Sequence, residues 1–416
     1  MVSTSPQSKL GVFTVGMGAV ATTLMAGVEL VRSGRRPPVG AYTQLGWIEG
    51  RDGQRRRVAE ALPLARLEDL VFGGIDLVET NAADAARTAA VLSAEDLALV
   101  DGFLRGIEAG PGLHDPAYVR TLPSLRVRPE QNKAEQAAAM TAVFRDFFAR
   151  RSGGRGVVLL TLSTEAWRTP GATHATIETF RAGLARNDPE ISPSQIYAWA
   201  AIEAGFPVVN CTPNPVLEAP AIRDLAAERN VAIAGSDLKS GQTLMKTVIA
   251  AGLAKRYLGV KGWFSTNILG NRDGFVLHEP QNFRAKEITK GGVLDDIFDR
   301  QEQPALYQGM EHQVHINYYP PKGDNKEAWD AIQLFGWLGY DVEIKVNFQC
   351  RDSILAAPLV LDLALLADLA AQKGAGGIQS WLGGYFKNPG HRPGEKVSND
   401  LHVQVGVIEE KLRGWL

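Results

Sequence analysis

The chain has 416 residues, more than one hydrophobic core usually supports, and this length predicts two domains. Its 45% hydrophobic and 22% charged residues, with a mean hydropathy of −0.09, are typical of a globular protein. The formal net charge of −2 gives no global electrostatic reason to bind nucleic acid or an anionic membrane, so we predict neither partner. Any anion that the protein binds must be held by a local cluster of donors.

The cysteine pattern and the apolar runs indicate a cytoplasmic protein. Cys211 and Cys350 lie far apart, without the spacing of a zinc site or a disulfide framework, and we predict no bound metal. The N-terminus lacks the basic-then-apolar order of a signal peptide. The longest apolar run, Ile354–Ala371, is interrupted by a proline and two aspartates, which favours a buried helix over a membrane span.

The chain begins with the pattern of a strand, a glycine turn and a helix. A strand is predicted at Leu10–Val15 and a helix at Ala19–Arg32. Glycines between them let the backbone approach a pyrophosphate, which the helix N-terminus then attracts, although a turn without a ligand carries the same residues. The predicted cofactor-binding residues here are Gly16, Gly18, Ala19 and Val20. Neither Glu49 nor Asp52 can be assigned securely as the acid that binds a ribose.

Strands and helices then alternate, which predicts an α/β protein with a Rossmann-type, doubly wound parallel sheet. The predicted strands are Gly73–Thr80, Gly156–Leu162, Phe206–Asn210 and Val231–Ala234, and the predicted helices include Ala82–Leu92 and Arg128–Arg150.

The pattern changes after about residue 243, and this predicts an inserted α+β domain. Gly262–Ile268, Gln313–Tyr319 and Val342–Phe348 show the partial alternation of an antiparallel or mixed sheet. We therefore predict one domain from residues 1–243 and 352–416, and a second from residues 244–351.

A polar stretch, GSDLKSGQT, precedes a helix predicted at Leu244–Tyr257. Hydroxyls, an amide and free backbone N–H groups at a helix start form a suitable cradle for a phosphate monoester. An ordinary N-cap by Ser240 explains the pattern equally well. The predicted phosphate-binding residues are Ser240, Gly241, Gln242 and Thr243.

Two later motifs carry further candidate polar groups. Asn267, Asn271 and Asp273 lie at the end of a strand, where they would either bind hydroxyls or form turns. In FRAKEITK, Lys286 and Lys290 lie four residues apart, on one face if the segment is helical. Two close ammonium groups lower each other's pKa and stabilise a phosphate or an enolate, whereas spacing alone favours a solvated helix face.

The last candidate, Asp352, lies at the predicted return from the inserted domain, in CRDS. Ligands often bind at domain junctions, so this carboxylate is a candidate site residue. Capping of the following helix is an equally good explanation.

Taken together, these motifs resemble those of myo-inositol-1-phosphate synthases. SDLKSGQT, TNILGNRDG, FRAKEITKGGVLDD and CRDSILAAPLVLDLAL occur in the order seen in that family, and the similarity covers nearly the whole chain. The resemblance implies a Rossmann-type NAD domain interrupted by a catalytic and tetramerising domain, and hence a homotetramer. It also implies a redox-neutral cyclisation of glucose 6-phosphate. NAD⁺ oxidises C5, the ketone enolises at C6, C6 attacks the C1 aldehyde, and the ketone is reduced to give an inositol phosphate.

The resemblance also implies roles for individual residues. Lys286 would support hydride and proton transfer at C5, and Lys290 would hold the phosphate together with the helix start. Asp237 would polarise a nearby lysine or hydroxyl. The implied catalytic set is Asp237, Asn267, Lys286, Lys290 and Asp352, with Asn271 and Asp273 lining the pocket and Thr164, Asn210 and Asp295 on the cofactor side.

Some residues depart from the family pattern. Asn317 stands where eukaryotic members have a lysine, and their late C-terminal lysine has no clear counterpart. The lysines that could replace the missing cation are Lys322, Lys345, Lys387 and Lys396, and sequence does not choose among them. The departures keep open a related cyclase that converts another hexose phosphate, such as fructose 6-phosphate, to a five-membered carbocycle.

Overall fold

The computed structural model describes residues 9–119, 126–270 and 292–416. Its strands are β1 (Leu10–Val15), β2 (Trp47–Glu49), β3 (Arg55–Arg57), β4 (Leu70–Asp76), β5 (Ala109–Pro111), β6 (Gly156–Leu160), β7 (Val208–Asn210), β8 (Ala232–Ala234), β9 (Gly259–Leu269), β10 (Glu311–Tyr318), β11 (Asn325–Phe335), β12 (Asp341–Arg351) and β13 (Gly377–Ile378). Its helices include α1 (Ala19–Arg32), α2 (Tyr42–Leu45), α3 (Val58–Ala61), α4 (Ala82–Ala89), α5 (Ala94–Arg105), α6 (Lys133–Ser152), α7 (Ile177–Ala185), α8 (Pro193–Ala204), α9 (Pro220–Glu228), α10 (Gly241–Lys255), α11 (Pro304–Tyr307), α12 (Asp352–Gln372) and α13 (Leu401–Arg413).

A seven-stranded parallel sheet with the order β13-β8-β7-β6-β1-β4-β5 forms the larger layer. Helices α1 and α12 cover one face, and α6, α8 and α9 cover the other. Strand β6 is therefore buried along its whole length, which explains its continuous apolar sequence. The predicted Rossmann-type α/β fold is confirmed.

Several predicted boundaries differ from those in the structure. Helix α4 ends at Ala89 rather than Leu92, and helix α10 begins at Gly241 rather than Leu244. Two further differences have a clear local reason. Strand β4 ends at Asp76 rather than continuing to Thr80, because the Asp76 carboxylate accepts the N–H of Val78 at 2.9 Å and turns the chain. Helix α6 begins five residues later than predicted, since Asn132 caps it by accepting the N–H of Glu135 at 2.9 Å.

A second, four-stranded sheet has the order β10-β9-β11-β12 and lies within residues 259–351. Strands β9 and β10 are parallel, whereas β11 is antiparallel to β9 and to β12, so the sheet is mixed. We did not predict strand β11, because charged residues such as Lys326 and Asp330 obscure its alternation. Trp263, Phe298 and Ile332 form the core between this sheet and α10.

Helix α12 is the apolar helix predicted near residue 360. In the described ranges it is the one helix long and apolar enough to cross a membrane, yet 72% of its most apolar stretch is buried within the protein. Its polar residues are paired inside the core. Asp362 accepts the backbone N–H groups of Tyr42 and Thr43, both at 2.8 Å, and Asp368 pairs with Arg155 at 2.5 Å.

Candidate active site

The glycine turn after β1 opens onto a cavity of about 520 Å³ at the carboxyl ends of the parallel strands. Gly16 has a φ of +95°, and a Cβ there would lie 2.7 Å from the Cα of Leu162, so glycine is required. Gly18 precedes α1 and makes no side-chain cap, and a Cβ there would meet only open space. The α1 N-terminus therefore presents uncapped backbone to the cavity, as a site for a dinucleotide pyrophosphate requires. Ala19 and Val20 line the same wall.

Asp76 is an acidic residue of this wall that sequence reasoning missed. It ends β4, next to β1, and its carboxylate accepts the N–H of Met17 at 2.7 Å. An acid at the end of this strand is where Rossmann folds bind the adenosine ribose. Residues 33–69 separate α1 from β4, so the short spacing in sequence that usually links the glycine turn to this acid is lost. By contrast, Asp52 pairs with Arg56 in the β2–β3 hairpin.

The other predicted cofactor-side residues occupy different positions. Thr164 lines the cavity. Asn210 is fully buried. Its side chain donates a hydrogen bond to Ser236 and accepts one from Thr212, and so holds the loops after β7 and β8 together. Asp295 is exposed and pairs with Arg300 at 2.7 Å.

A buried ion pair lines the same cavity. Lys387 Nζ donates to Asp237 Oδ1 at 3.0 Å, with side chains only 8% and 3% exposed. Backbone hydrogen bonds from Lys387 to Asp237, and from Lys239 to Tyr385, align the two segments. Of the four lysines proposed from sequence, the structure places Lys387 at the cavity.

A second cluster joins the start of α10 to the start of α12. Asp352 accepts the hydroxyl of Ser240 at 2.9 Å and the ammonium of Lys326 at 3.1 Å. Gly241 has a φ of +56°, and a Cβ there would lie 3.1 Å from Asp352, so glycine permits this approach. Burial by itself would raise the pKa of Asp352, but attraction to Lys326 and Lys387 outweighs it and holds that pKa well below its usual range.

Lys326 is the second site residue that we missed. The register of β11 with β12 places it opposite Cys350, two residues before Asp352. Prediction of β11 as a strand paired with β12 would have revealed this proximity. The other candidate cations lie elsewhere: Lys322 pairs with Glu327, and Lys345 is exposed beside Glu343.

Gln242 and Asn267 belong to a buried network under the second sheet. The Asn267 amide donates to Gln242, whose own amide donates to Asp330 at 2.9 Å. Thr243, the next residue of α10, is also buried. Asn317 lies on the exposed side of β10, where its amide donates to Thr266 at 3.0 Å. The remaining predicted site residues, Lys286, Lys290, Asn271 and Asp273, lie outside the described residues.

Lys239 is buried behind the cavity wall, where its ammonium donates to Asn399 at 3.1 Å and Gln404 at 2.7 Å. Burial lowers the pKa of Lys239 from 10.5 to about 7, although Asp296 opposes the shift. Between the pKa of the folded chain and that of the unfolded chain, Lys239 carries a proton only when the protein is unfolded. The free energy of unfolding therefore rises with pH over this range. We expect Lys239→Met to flatten this rise in urea unfolding at pH 7 and pH 9.5. Exposed Lys373→Met is the control, and equal slopes in wild type and Lys239→Met would contradict the assignment.

These features define a class of protein: an enzyme with a Rossmann-type dinucleotide site, beside which ammonium and carboxylate groups converge on a small-molecule cavity. Residues 10–413 match an NAD-binding family model described as myo-inositol-1-phosphate synthase. The chain is 43% identical over 410 residues to inositol-3-phosphate synthase 1 of Bacteroides thetaiotaomicron, covering 98% of this chain and 96% of that one. It is 33% identical to inositol-3-phosphate synthase of Sesamum indicum, covering 97% of this chain and 85% of that one.

A solved structure of inositol-3-phosphate synthase from Caenorhabditis elegans superposes with a TM-score of 0.91 at 27% identity, covering 98% of this chain and 86% of that one. The chain belongs to the myo-inositol-1-phosphate synthase family, and it is an enzyme that uses NAD.

Proposed function

We propose that this protein converts glucose 6-phosphate to myo-inositol phosphate by oxidation, enolisation, intramolecular aldol addition and reduction. The observation that carries the proposal is a pair of ammonium–carboxylate contacts. Lys387 and Asp237 both line the cavity that begins at the glycine turn, and Lys326 contacts Asp352, which lines the same cavity. Family membership supports the same conclusion.

The residues present fit NAD, whose nicotinamide would supply the acceptor and donor of a hydride. The uncapped start of α1, with Gly16, Gly18, Ala19 and Val20, would hold the pyrophosphate. Asp76 would accept a hydrogen bond from the adenosine ribose, because it ends the strand next to β1. Thr164 lines the cavity on the same side, and Asn210 shapes the loop that follows β7.

The lysines would act on the sugar. An ammonium group close to a developing enolate oxygen stabilises its negative charge and can deliver a proton to it. Lys387 and Lys326 are held in place by carboxylates, so each is oriented before substrate binds. Ser240 and Gly241, at the start of α10, lie beside Asp352, and we propose that the backbone there, with Gln242, Thr243 and Lys290, receives the phosphoryl group.

The decisive experiment identifies the product. Purified enzyme with NAD⁺ is given glucose 6-phosphate or fructose 6-phosphate, and products are determined by NMR and mass spectrometry. We expect a six-membered cyclitol phosphate from glucose 6-phosphate, without net accumulation of NADH. A five-membered carbocycle from fructose 6-phosphate would instead establish a related cyclase, and accumulation of NADH would show a simple dehydrogenase.

Asp76 leads to a prediction about cofactor choice. Its carboxylate would repel the 2′-phosphate of NADP, and it also holds the glycine turn through Met17. We expect Asp76→Ser to weaken NAD binding about tenfold while narrowing the preference for NAD over NADP, measured by fluorescence titration. Asp52→Ser in the surface hairpin is the matched control. An unchanged NAD-to-NADP ratio would exclude Asp76 as the discriminating acid.

We further propose that residues 1–243 and 352–416 form the NAD domain, and that residues 244–351 form a catalytic domain through which four copies associate in the cytoplasm. The hairpin tip between β11 and β12 exposes Trp337, Leu338 and Tyr340, at 86%, 77% and 74%. A cluster of large apolar side chains this exposed is typical of an interface.

The Trp337→Ser, Tyr340→Ser double variant tests this assembly. We expect it to sediment as a smaller species than the wild type, with an unchanged circular dichroism spectrum, because association loses apolar contacts but the fold does not. Trp47→Ser, which removes an exposed tryptophan from the β2–β3 hairpin, is the control. Retention of the wild-type assembly by the double variant would refute this interface.

A further inference from the structure

A buried hydrogen-bond chain runs from β11 to β9 through α10. Asp330 Oδ1 accepts the indole N–H of Trp263 at 2.8 Å and the hydroxyl of Ser265 at 2.6 Å. Asp330 Oδ2 accepts the amide of Gln242 at 2.9 Å, and the Gln242 carbonyl accepts the amide of Asn267. All five side chains are at most 4% exposed.

The direction of this chain is determined by its chemistry. An indole N–H can only donate, and an ionised carboxylate can only accept. Asp330 therefore obliges Gln242 to present its NH₂ group to Asp330 and its carbonyl to Asn267, and the longer contact of that NH₂ with the carbonyl of Thr266, at 3.4 Å, favours the same orientation. Asn267 must then turn its own NH₂ toward Gln242, which leaves the carbonyl oxygen Oδ1 at the end of the chain.

Asn267 Oδ1 is buried, and no described residue donates a hydrogen bond to it. A buried amide oxygen without a donor destabilises the fold, and such an atom in a native structure calls for an explanation. Asn267 lies on β9, whose following residue, Gly270, lines the cavity.

We infer that Asp330 is a positioning residue that sets the polarity of Asn267, so that the chain ends in an acceptor for an N–H or O–H donor of the reaction. The donor is an ammonium group or a sugar hydroxyl. The inference rests on the proposed function for the identity of that reaction, but the polarity of the chain rests on the hydrogen bonds alone.

The substitution Asp330→Asn reverses the chain without changing its shape. The asparagine oxygen stays with Trp263 and Ser265, since both donate to that position, and its NH₂ faces Gln242. Gln242 and Asn267 then both flip, and the chain ends in an NH₂ that repels a donor. We expect kcat for cyclitol formation to fall at least thirtyfold, with NAD binding unchanged.

The compensating substitution Asn267→Asp restores an acceptor at the end of the reversed chain. By itself, Asn267→Asp sets a carboxylate against the carbonyl of Gln242 and lowers both activity and stability. In the Asp330→Asn background the flipped Gln242 donates to the new carboxylate, so we expect the double variant to exceed each single variant by about tenfold in kcat. Ser265→Ala removes one hydrogen bond without reversing the chain and should cost much less.

Two measurements separate the possible failures. A wild-type enzyme that forms no cyclitol phosphate refutes the proposed function. Urea unfolding of the wild type, Asp330→Asn, Asn267→Asp and their double variant still tests the chain in that case. The polarity mechanism requires Asp330→Asn to relieve the destabilisation caused by Asn267→Asp. An active wild type whose double variant shows the combined losses of the single variants, in kcat and in the free energy of unfolding, overturns the inference and leaves the proposed function intact.

If an ammonium group is the donor, deoxy sugar phosphates will show the same loss of kcat on Asp330→Asn substitution as glucose 6-phosphate. If a sugar hydroxyl is the donor, the analogue lacking that hydroxyl will not.

Discussion

Lys387→Met is expected to lower turnover by about 10²–10⁴-fold, the range for losing a positioned acid or base. The ammonium contacts Asp237 at 3.0 Å, and both side chains are buried at the cavity wall, so no solvent cation can take its place. The measurement is the rate of cyclitol phosphate formation under saturating NAD⁺ and substrate. Lys345→Met, at an exposed site beside Glu343, is the matched control.

Loss of folding must be separated from loss of chemistry in this variant. Removing one partner of a buried ion pair leaves an uncompensated charge and costs about 3–5 kcal/mol of stability. The double variant Lys387→Met, Asp237→Asn removes both charges and is expected to recover much of the unfolding free energy while remaining inactive. Recovery of activity along with stability would assign the pair a structural role only.

Lys326→Met is the second substitution expected to have a large effect, a loss of about 10²-fold in kcat/KM together with an altered pH profile. Attraction to Lys326 and Lys387 holds the pKa of Asp352 below its usual range despite burial. Without Lys326 that pKa rises, so the acidic limb of the profile moves to higher pH. Asp352 also contributes stability above its unfolded pKa that is lost as pH falls through its folded pKa, and this contribution becomes smaller in the variant.

Lys322→Met is the control for this prediction, because Lys322 lies four residues before Lys326 and pairs with Glu327 instead. We expect its profile to keep the wild-type acidic limb. A Lys326→Met enzyme with reduced rate but an unmoved acidic limb would show that the ammonium acts on substrate without controlling the ionisation of Asp352.

The two ion pairs have one structural property in common. In each pair the lysine is distant in sequence from the carboxylate that it contacts. Lys387 and Asp237 are 150 residues apart, and Lys326 and Asp352 are 26 residues apart. The Lys387 pair joins the loop after β8 to the segment that follows β13, and the Lys326 pair joins the second sheet to the start of α12. Substitutions at these four positions therefore test both the chemistry and the way the cavity is assembled.

Local sequence was sufficient for the features that depend on neighbouring residues. The glycine turn, the apolar strands of the parallel sheet and the buried helix α12 could be predicted, because periodicity and glycine conformation act over a few residues. The four ordered motifs were sufficient for the family, which the comparisons confirm.

Tertiary structure alone decided which charged groups meet. Asp76 reaches the glycine turn because β4 pairs with β1 across an insertion, and Lys326 reaches Asp352 because β11 pairs with β12. Neither Lys387 nor Lys326 carries a local signature, since an ammonium group is recognised by what surrounds it rather than by its neighbours in sequence. The sequence thus determined the fold and the family of this protein, whereas strand pairing and burial, which act between distant residues, decided the partners of its ionised side chains.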